Sequence, residues 1–199
     1  MQSNPDHILK ELLPLVAFDG WTNFAFNQAV KRAKLDAGAA MRAFPKGVDE
    51  CMDYFFARQD ELLAQAFPEG TLKHMRMPER IETLLNWRLE KLLPYREAVR
   101  RAVAKRAMPW NAVKATVSLY KSVDLMWRLA GDTSTDFSFY TKRMTLAAIY
   151  SSALLYWLSD TSEHYSNTRA FIQRRLNDVA SFGKWKKESK ASLQKLISW

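Results

Sequence analysis

With 199 residues, of which 48% are hydrophobic and 26% charged, the chain has the composition of a folded protein with a substantial core. Its one cysteine, Cys51, excludes an internal disulfide and favours a reducing compartment. The formal net charge of +9 implies attraction to an anionic partner, either nucleic acid or a lipid surface.

The first residues give an expectation for the compartment. Residues 1–11 carry Asp6 and Glu11 and have no basic region followed by an apolar core, so we expect no signal peptide. The simplest expectation for the location is therefore the bacterial cytoplasm, with the protein peripheral to the inner membrane.

Helical patterns fill the sequence, and no strand pattern, repeat or low-complexity stretch interrupts them. Proline and glycine mark most boundaries, with Gly20 ending the first helix and Pro14 predicted to kink or split it. We predict further helices at 22–33, 36–44, 48–67, from Pro78 to Pro94, at 97–105, from Asn111 to Gly131, from Asp136 to Leu158, and at 163–180. The fold class is all-α, with three parts: residues 1–67, 68–180 and a tail helix at 181–199.

Residues 1–67 have the order of a helix-turn-helix head with a connector helix. An apolar helix leads to Gly20-Trp21, then a second helix, a short third helix, Phe44-Pro45 and the connector. This order resembles the DNA-binding head of TetR-type repressors. The third helix reads Ala-Gly-Ala-Ala-Met-Arg-Ala, in which only Arg42 suits a bidentate base contact. We therefore expect at most weak nonspecific contact with nucleic acid.

The most informative stretch runs from Leu125 to Trp157. Gly131 is placed to end one helix, and Ser134, Thr135 and Asp136 offer oxygens that could cap the next. That next helix is apolar on nearly all sides, yet its run is too short and too rich in hydroxyls to span a bilayer. It is predicted to be a core helix, buried between other helices or against a second subunit.

The same stretch carries a family resemblance that extends from Ile8 to about Val179. Met126-Trp127, Ala130-Gly131-Asp132, Ser134-Thr135-Asp136-Phe137, Tyr140-Thr141, Arg143 and Leu146-Ala147-Ala148-Ile149-Tyr150 resemble the signature of the accessory lipid-binding proteins of ubiquinone (coenzyme Q) biosynthesis. The resemblance implies a TetR-like homodimer that no longer controls transcription. It also implies a bound isoprenoid lipid, presentation of quinone precursors to the di-iron hydroxylase of the pathway, and a dimer built by the core helix and helix 163–180.

Four residues match positions that contact the hydroxylase in that family: Met126, Trp127, Asp136 and Tyr140. From the pattern alone, Met126 lies off the apolar stripe of its helix, so we expect it to be exposed. That stripe, predicted to be buried, consists of Val113, Val117, Tyr120, Val123, Trp127 and Ala130. A broadly buried helix is an equally good interpretation, and Asp136 is also explained as a helix cap.

An isoprenoid chain requires a dry tunnel between helices, lined by aliphatic and aromatic side chains. The candidate lining residues are Leu119, Val123, Leu146, Ile149, Tyr150, Ala153, Leu154 and Trp157. Each of these residues is equally explained as part of an ordinary hydrophobic core. Only the family resemblance favours a lipid pocket over that interpretation.

The tail has the periodicity of a helix lying on a membrane surface, with aromatic residues at its ends and flanking lysines. The residues assigned to this helix are Phe182, Trp185, Lys186, Lys190, Leu193, Leu196, Ile197 and Trp199. We expect Gly183 to detach it from the preceding helix. The alternative is a tail that packs on its own domain or on a dimer partner.

Nothing in the sequence indicates catalysis. The three histidines, His7, His74 and His164, are scattered, and a di-iron bundle would need two Glu-x-x-His pairs. We therefore expect an accessory protein that is not an enzyme and has no cofactor other than bound isoprenoid or phospholipid. The alternatives are a ligand-responsive TetR-type repressor and a helical interaction protein without lipid.

Overall fold

The computed structural model describes the backbone of residues 4–197 and the side chains of residues 4–181. Every regular element in this part of the chain is helical, which confirms the all-α fold class. The α-helices are α1 Asn4–Asp19, α2 Asn23–Arg32, α3 Ala37–Ala43, α4 Val48–Ala66, α5 Met77–Leu92, α6 Arg96–Arg106, α7 Ala112–Leu129, α8 Phe137–Ser159 and α9 Ser166–Ile197. Short 3₁₀ turns at Leu93–Tyr95, Pro109–Asn111 and Glu163–Tyr165 precede α6, α7 and α9.

The chain divides into two compact units whose boundary differs from the predicted one. The first unit comprises the residues up to Pro68 together with Arg88–Leu125, and the second comprises Glu69–Trp87 and the residues from Met126 onward. Residues 88–125, predicted to belong with 68–180, thus pack with the head. Long-range contacts hold them there: the indole of Trp21 donates to the carbonyl of Ala98 at 2.9 Å, and Lys105 forms an ion pair with Asp49 at 2.6 Å.

The core of the first unit forms where α1 packs on α2, α4 and α6. Trp21 and Phe55 lie in this core with ring centroids 5.9 Å apart. α1 continues from Asn4 to Asp19 with Pro14 inside it, so the helix does not split there, and the kink that was the other predicted outcome stays a prediction. Buried Leu12 and Val16 on either side of the proline explain the continuous helix, because their packing offsets the single hydrogen bond that proline removes.

The helix-turn-helix segment has the predicted order, and side-chain oxygens cap both of its short helices. Thr22 accepts a hydrogen bond from the amide of Ala25 at 3.2 Å, and Asp36 accepts one from the amide of Ala39 at 2.7 Å. Phe24 in the second helix is 62% exposed.

In the second unit, α8 and α9 pack side by side. Tyr156 and Phe171 stack with ring centroids 5.0 Å apart, and Trp157 is almost fully buried. The turn between the helices is fixed by buried Asp160, which accepts hydrogen bonds from the amide and hydroxyl of Thr168 at 2.9 and 2.6 Å.

The last helix does not break at Gly183. α9 runs from Ser166 to Ile197 as one element, so the prediction that Gly183 detaches a separate tail helix is wrong. One glycine costs a helix only about 1 kcal/mol relative to alanine, which is too little to end a helix without a capping motif. The predicted membrane-facing side chains at 182–199 lie outside the described side chains, and that assignment stays a prediction. In the part of the chain that the structure describes, none of the helices combines the length and the hydrophobicity that a bilayer-spanning segment needs.

Candidate partner-binding site

The corner between α7 and α8 begins with a helix ending of the Schellman type. The amide of Asp132 donates to the carbonyl of Trp127 at 2.9 Å, and the amide of Gly131 donates to the carbonyl of Arg128 at 2.9 Å. Gly131 has φ of +84°, the left-handed conformation that this ending needs. The predicted helix end at Gly131 is therefore confirmed.

An arginine from α5 completes this ending. Arg80 donates to the carbonyl of Ala130 at 2.7 Å, and also to the carbonyls of Met75 and Lys73 at 2.9 Å each. A Cβ on Gly131 would lie 3.2 Å from the guanidinium of Arg80. Both the left-handed backbone and this close approach thus favour glycine at position 131.

Asp132 is the electrostatic centre of the corner. Its side chain is 2% exposed and accepts hydrogen bonds from the ammonium of Lys142 at 2.6 Å and from the hydroxyl of Ser134 at 2.7 Å. Arg143, which is also buried, approaches the second carboxylate oxygen at 3.2 Å. Burial alone would raise the pKa of Asp132, but the hydrogen bonds from Lys142 and Ser134 outweigh it and lower the pKa.

Asp136 begins α8 as its N-cap. Its carboxylate accepts hydrogen bonds from the amide of Ser138 at 3.0 Å and from the hydroxyl of Ser138 at 2.5 Å. These hydrogen bonds lower the pKa of Asp136, which is therefore ionised at neutral pH. The alternative interpretation of Asp136 as a cap is correct, and the exposed carboxylate remains accessible from solvent.

Two cation–aromatic contacts fix the side chains around the cap. The ammonium of Lys142 lies 5.6 Å from the ring centroid of Trp127, whose indole donates to the carbonyl of Lys142 at 3.1 Å. The guanidinium carbon of Arg143 lies 3.3 Å from the ring centroid of Phe139, which meets Tyr140 edge-on at 5.2 Å. The aromatic side chains at the corner thus contact one half-buried cation, Lys142, and one buried cation, Arg143.

The first half of α8 exposes one apolar face, which we call the α8 outer face: Phe137, Tyr140, Met144 and Ala148. Phe137 is 84% exposed, Tyr140 63% and Met144 70%. Their spacing of three and four residues places them on one side of the helix. The sequence pattern did not single out Phe137 and Met144 as exposed, because a helix that is apolar all round does not indicate which side faces solvent.

The structure separates the four predicted partner-contacting residues. Asp136 and Tyr140 are exposed and close in sequence at the start of α8, and Trp127 is half-buried. Met126 is fully buried, so the expectation that it is exposed is wrong. The buried positions of this helix and its end are Ser122, Val123, Met126 and Ala130, an arc that includes Met126 rather than avoiding it.

The prediction of a buried stripe on α7 is wrong for the first half of the helix. Val113 is 77% exposed, Val117 49% and Tyr120 42%, although all three were predicted to be buried. A periodic pattern defines a stripe but not the direction it faces, and here the first half of the stripe faces solvent.

The eight candidate lipid-lining residues are mainly core. Leu119 and Leu154 are partly exposed, and the other six are buried: Val123, Leu146, Ile149, Tyr150, Ala153 and Trp157. Leu119 and Val123 belong to the first unit and the others to the second. Ordinary core packing accounts for their burial.

Two cavities in the first unit are lined by other residues. One, of about 610 Å³, lies between α4 and α7, and its lining includes Tyr54, Asp60, Val117 and Lys121. The other, of about 830 Å³, lies between α1, α4 and α6. Neither of these two cavities is lined by any of the eight candidates.

A buried ionic cluster adjoins the smaller cavity. The guanidinium of Arg88, 1% exposed, is paired with the carboxylate of Asp60 and donates to the hydroxyl of Ser122 at 3.2 Å. Ser122 in turn donates to Asp60 at 3.0 Å. Three side chains from α4, α5 and α7 thereby satisfy one another inside the first unit.

The fold is that of TetR-type transcriptional regulators. A TetR transcriptional regulator from Nitrosomonas europaea superposes with a TM-score of 0.73 at 21% identity, covering 88% of this chain and 97% of that one. The predicted TetR-like architecture is confirmed.

The sequence comparisons show which proteins this chain is similar to. Residues 112–183, which contain the whole α7–α8 corner, match the COQ9 family model. The human mitochondrial ubiquinone biosynthesis protein COQ9 is 30% identical over 197 residues, covering 96% of this chain and 62% of that protein. The fission yeast mitochondrial protein coq9 from Schizosaccharomyces pombe is 32% identical over 153 residues, covering 70% of this chain and 60% of that protein. The chain is thus similar to the COQ9 proteins over most of its own length, which confirms the predicted resemblance, and it spans about three fifths of the length of these curated relatives.

These relatives correct the expected compartment. The human, fission yeast and Dictyostelium discoideum proteins are all named as mitochondrial. The prediction of a bacterial cytoplasmic address, made from the first residues alone, is therefore wrong.

Proposed function

We propose that this protein serves ubiquinone biosynthesis as a lipid-binding accessory protein that presents quinone precursors to the di-iron hydroxylase of the pathway. The supporting observation is that the COQ9 match at 112–183 contains the α7–α8 corner. Apolar and acidic side chains are exposed at this corner, next to the buried Asp132. In this proposal the protein performs no chemistry itself and supplies binding and orientation.

The α8 outer face, together with Asp136, is the proposed hydroxylase-binding surface. Phe137, Tyr140 and Met144 offer adaptable apolar area, and Asp136 offers a fixed negative charge at its border. Asp132, Lys142 and Arg143 hold the corner in one conformation, which reduces the entropy lost on binding. Met126 is not a direct contact in this proposal, because it lies in the core beneath the surface.

The second half of α8 and the first half of α9 supply the proposed dimer interface. Leu155 is 58% exposed, Tyr156 38% and Val179 45%. Pairing with a second copy would cover these residues while leaving the α8 outer face at the other end of the helix available. A TetR-like homodimer of this kind leaves one hydroxylase-binding surface on each protomer.

Rescue of a cell that lacks its own COQ9 relative tests the proposal. Fission yeast without its coq9 protein would express this chain fused to a mitochondrial leader, and ubiquinone would be quantified by mass spectrometry. We expect ubiquinone to be restored by the unaltered chain and not by Asp136→Lys combined with Tyr140→Ala. The matched control is Phe18→Ala, which removes an aromatic side chain that is 85% exposed in the other unit.

Failure of the unaltered, expressed and folded chain to restore ubiquinone would contradict the proposal. Sequence-specific DNA binding in the nanomolar range at physiological salt would instead favour the ligand-responsive repressor.

A further inference from the structure

An exposed apolar stripe runs along the start of α7 and the 3₁₀ turn that precedes it. Trp110 and Val113 are each 77% exposed, Val117 is 49% exposed and Tyr120 is 42% exposed. Their spacing of three, four and three residues places them on one face. Met108, just before the turn, is 45% exposed and extends the stripe. A continuous exposed stripe of this kind indicates an interaction surface, since exposed apolar residues are otherwise scattered singly.

Trp110 is the most informative member of the stripe. Tryptophan is normally largely buried, because leaving its ring in water forfeits a large hydrophobic gain. Here it lies at the apex of the Pro109–Asn111 turn, where its ring reaches solvent. Tryptophan is favoured where an apolar phase meets water, as at a bilayer surface.

The charge around the stripe is strongly positive. Residues 96–121 contain seven lysines and arginines and one glutamate, a net charge of +6 within a chain whose net charge is +9. Lys105 and Arg106 are paired with Asp49 and Asp53. Lys114 and Lys121 are exposed, and each follows directly after a residue of the stripe, so they form a basic border along one of its sides.

The acidic residues across the neighbouring cavity do not cancel this border. Glu50, Asp53 and Asp60 of α4 line the cavity that Lys114 and Lys121 also line. Asp53 and Asp60 are already paired with Arg106 and Arg88. Glu50 accepts a hydrogen bond from the backbone amide of Lys46 at 2.9 Å, which leaves its negative charge in place, so it offsets one of the two lysines. The two lysines against Glu50 therefore leave this side of the surface with a single excess positive charge.

We propose that this surface, which we call the α7 surface (Met108, Trp110, Val113, Val117 and Tyr120 with Lys114 and Lys121), docks on an anionic phospholipid bilayer. Trp110 and Val113 enter the interface between headgroups and acyl chains, and the lysines contact lipid phosphates. Two copies paired through this surface would bring their positively charged borders together, which disfavours a dimer here. A nucleic acid would contact the apolar side chains at the centre of the surface, which disfavours nucleic acid as the partner. The α7 surface is distinct from the predicted tail helix, and the inference does not depend on a role in ubiquinone biosynthesis.

A fluorescent probe on the full chain tests this surface independently of the tail. The single native thiol, Cys51, is fully buried, and burial raises its pKa to about 12, so it does not compete for a thiol-reactive dye. Val113→Cys, labelled with nitrobenzoxadiazole, would be mixed with vesicles of phosphatidylcholine alone or with 30% phosphatidylglycerol. Phe18→Cys, at an equally exposed position in the same unit, is the matched control.

We expect the probe at position 113 to shift to the blue with anionic vesicles, and the probe at position 18 to stay unchanged. Lys114→Gln combined with Lys121→Gln should weaken partitioning into these vesicles about thirtyfold, from roughly a fivefold loss per lysine. No shift at position 113 would overturn the proposal, whether or not the protein cosediments with vesicles through its tail. A shift that depends on protein concentration without vesicles would overturn it in favour of self-association.

Discussion

The ammonium of Lys142 donates to the carboxylate of Asp132 at 2.6 Å, and this contact joins the end of α7 to the first turns of α8. Asp132 is buried, whereas Lys142 keeps about a third of its side chain in solvent and lies over the ring of Trp127. The conformation of the corner therefore depends on one buried negative charge.

Replacing that charge should destabilise the protein. Asp132→Asn leaves Arg143 and Lys142 without their counterion and should cost about 3 kcal/mol of unfolding free energy, the usual loss when one partner of a buried ion pair is removed. Urea titration followed by circular dichroism measures the change. Asp136→Asn is the matched control, because asparagine caps a helix as well as aspartate does. Equal stability of Asp132→Asn and the unaltered protein would contradict the assigned role.

Asp160 should make stability depend on pH in the acidic range. Burial alone would raise its pKa, but hydrogen bonds from Ser162 and Thr168 outweigh it and lower the pKa from 3.8 to about 2. The resulting stabilisation, on the order of 2 kcal/mol, is fully present above pH 4 and is lost as the pH falls from about 4 to 2. Urea midpoints at pH 5, 4 and 3 would show this. Asp160→Asn should be less stable at pH 5 and less sensitive to pH; an unchanged slope would contradict the assignment.

The buried pair of Arg88 and Asp60 gives a prediction in the first unit. Arg88→Met leaves the Asp60 carboxylate without its cation and should reduce the unfolding free energy by about 3 kcal/mol. Adding Asp60→Leu should recover most of that loss, because the apolar pair removes the unpaired charge. A double-mutant cycle by thermal unfolding measures the coupling. Losses that simply add would show that the two side chains do not interact.

The α8 outer face should carry the binding energy for the hydroxylase. Tyr140→Ala and Met144→Ala are each expected to weaken hydroxylase binding tenfold or more, since both remove exposed apolar area at the centre of the proposed surface. Pull-down followed by titration of the purified proteins measures the affinity. Phe18→Ala should bind as the unaltered chain does. Circular dichroism confirms folding, and unchanged binding by both folded variants would remove this surface from the proposal.

The helices and the capping residues of the α7–α8 corner could be predicted from the sequence. Gly131 and Asp136 are local signals, because a left-handed residue and a capping oxygen act within a few residues of themselves. The same signals led to an error at Gly183, where a glycine without a capping motif stays inside a helix.

Which helix faces are exposed could not be predicted. Val113, Val117 and Met126 were all placed on the wrong side, because an apolar stripe indicates a burial face only when the neighbouring elements are known. The pairing of Arg88 with Asp60 also escaped detection, since the two residues lie 28 positions apart and only packing brings them together.

Native mass spectrometry of the protein purified without detergent tests the central claim most directly. If the protein is a lipid carrier of ubiquinone biosynthesis, the intact complex should exceed the 23.1 kDa polypeptide by the mass of an isoprenoid quinone precursor. Fragmentation should release that lipid with its isoprene ladder. A spectrum containing only bare polypeptide, from cells that accumulate quinone precursors, would contradict the account.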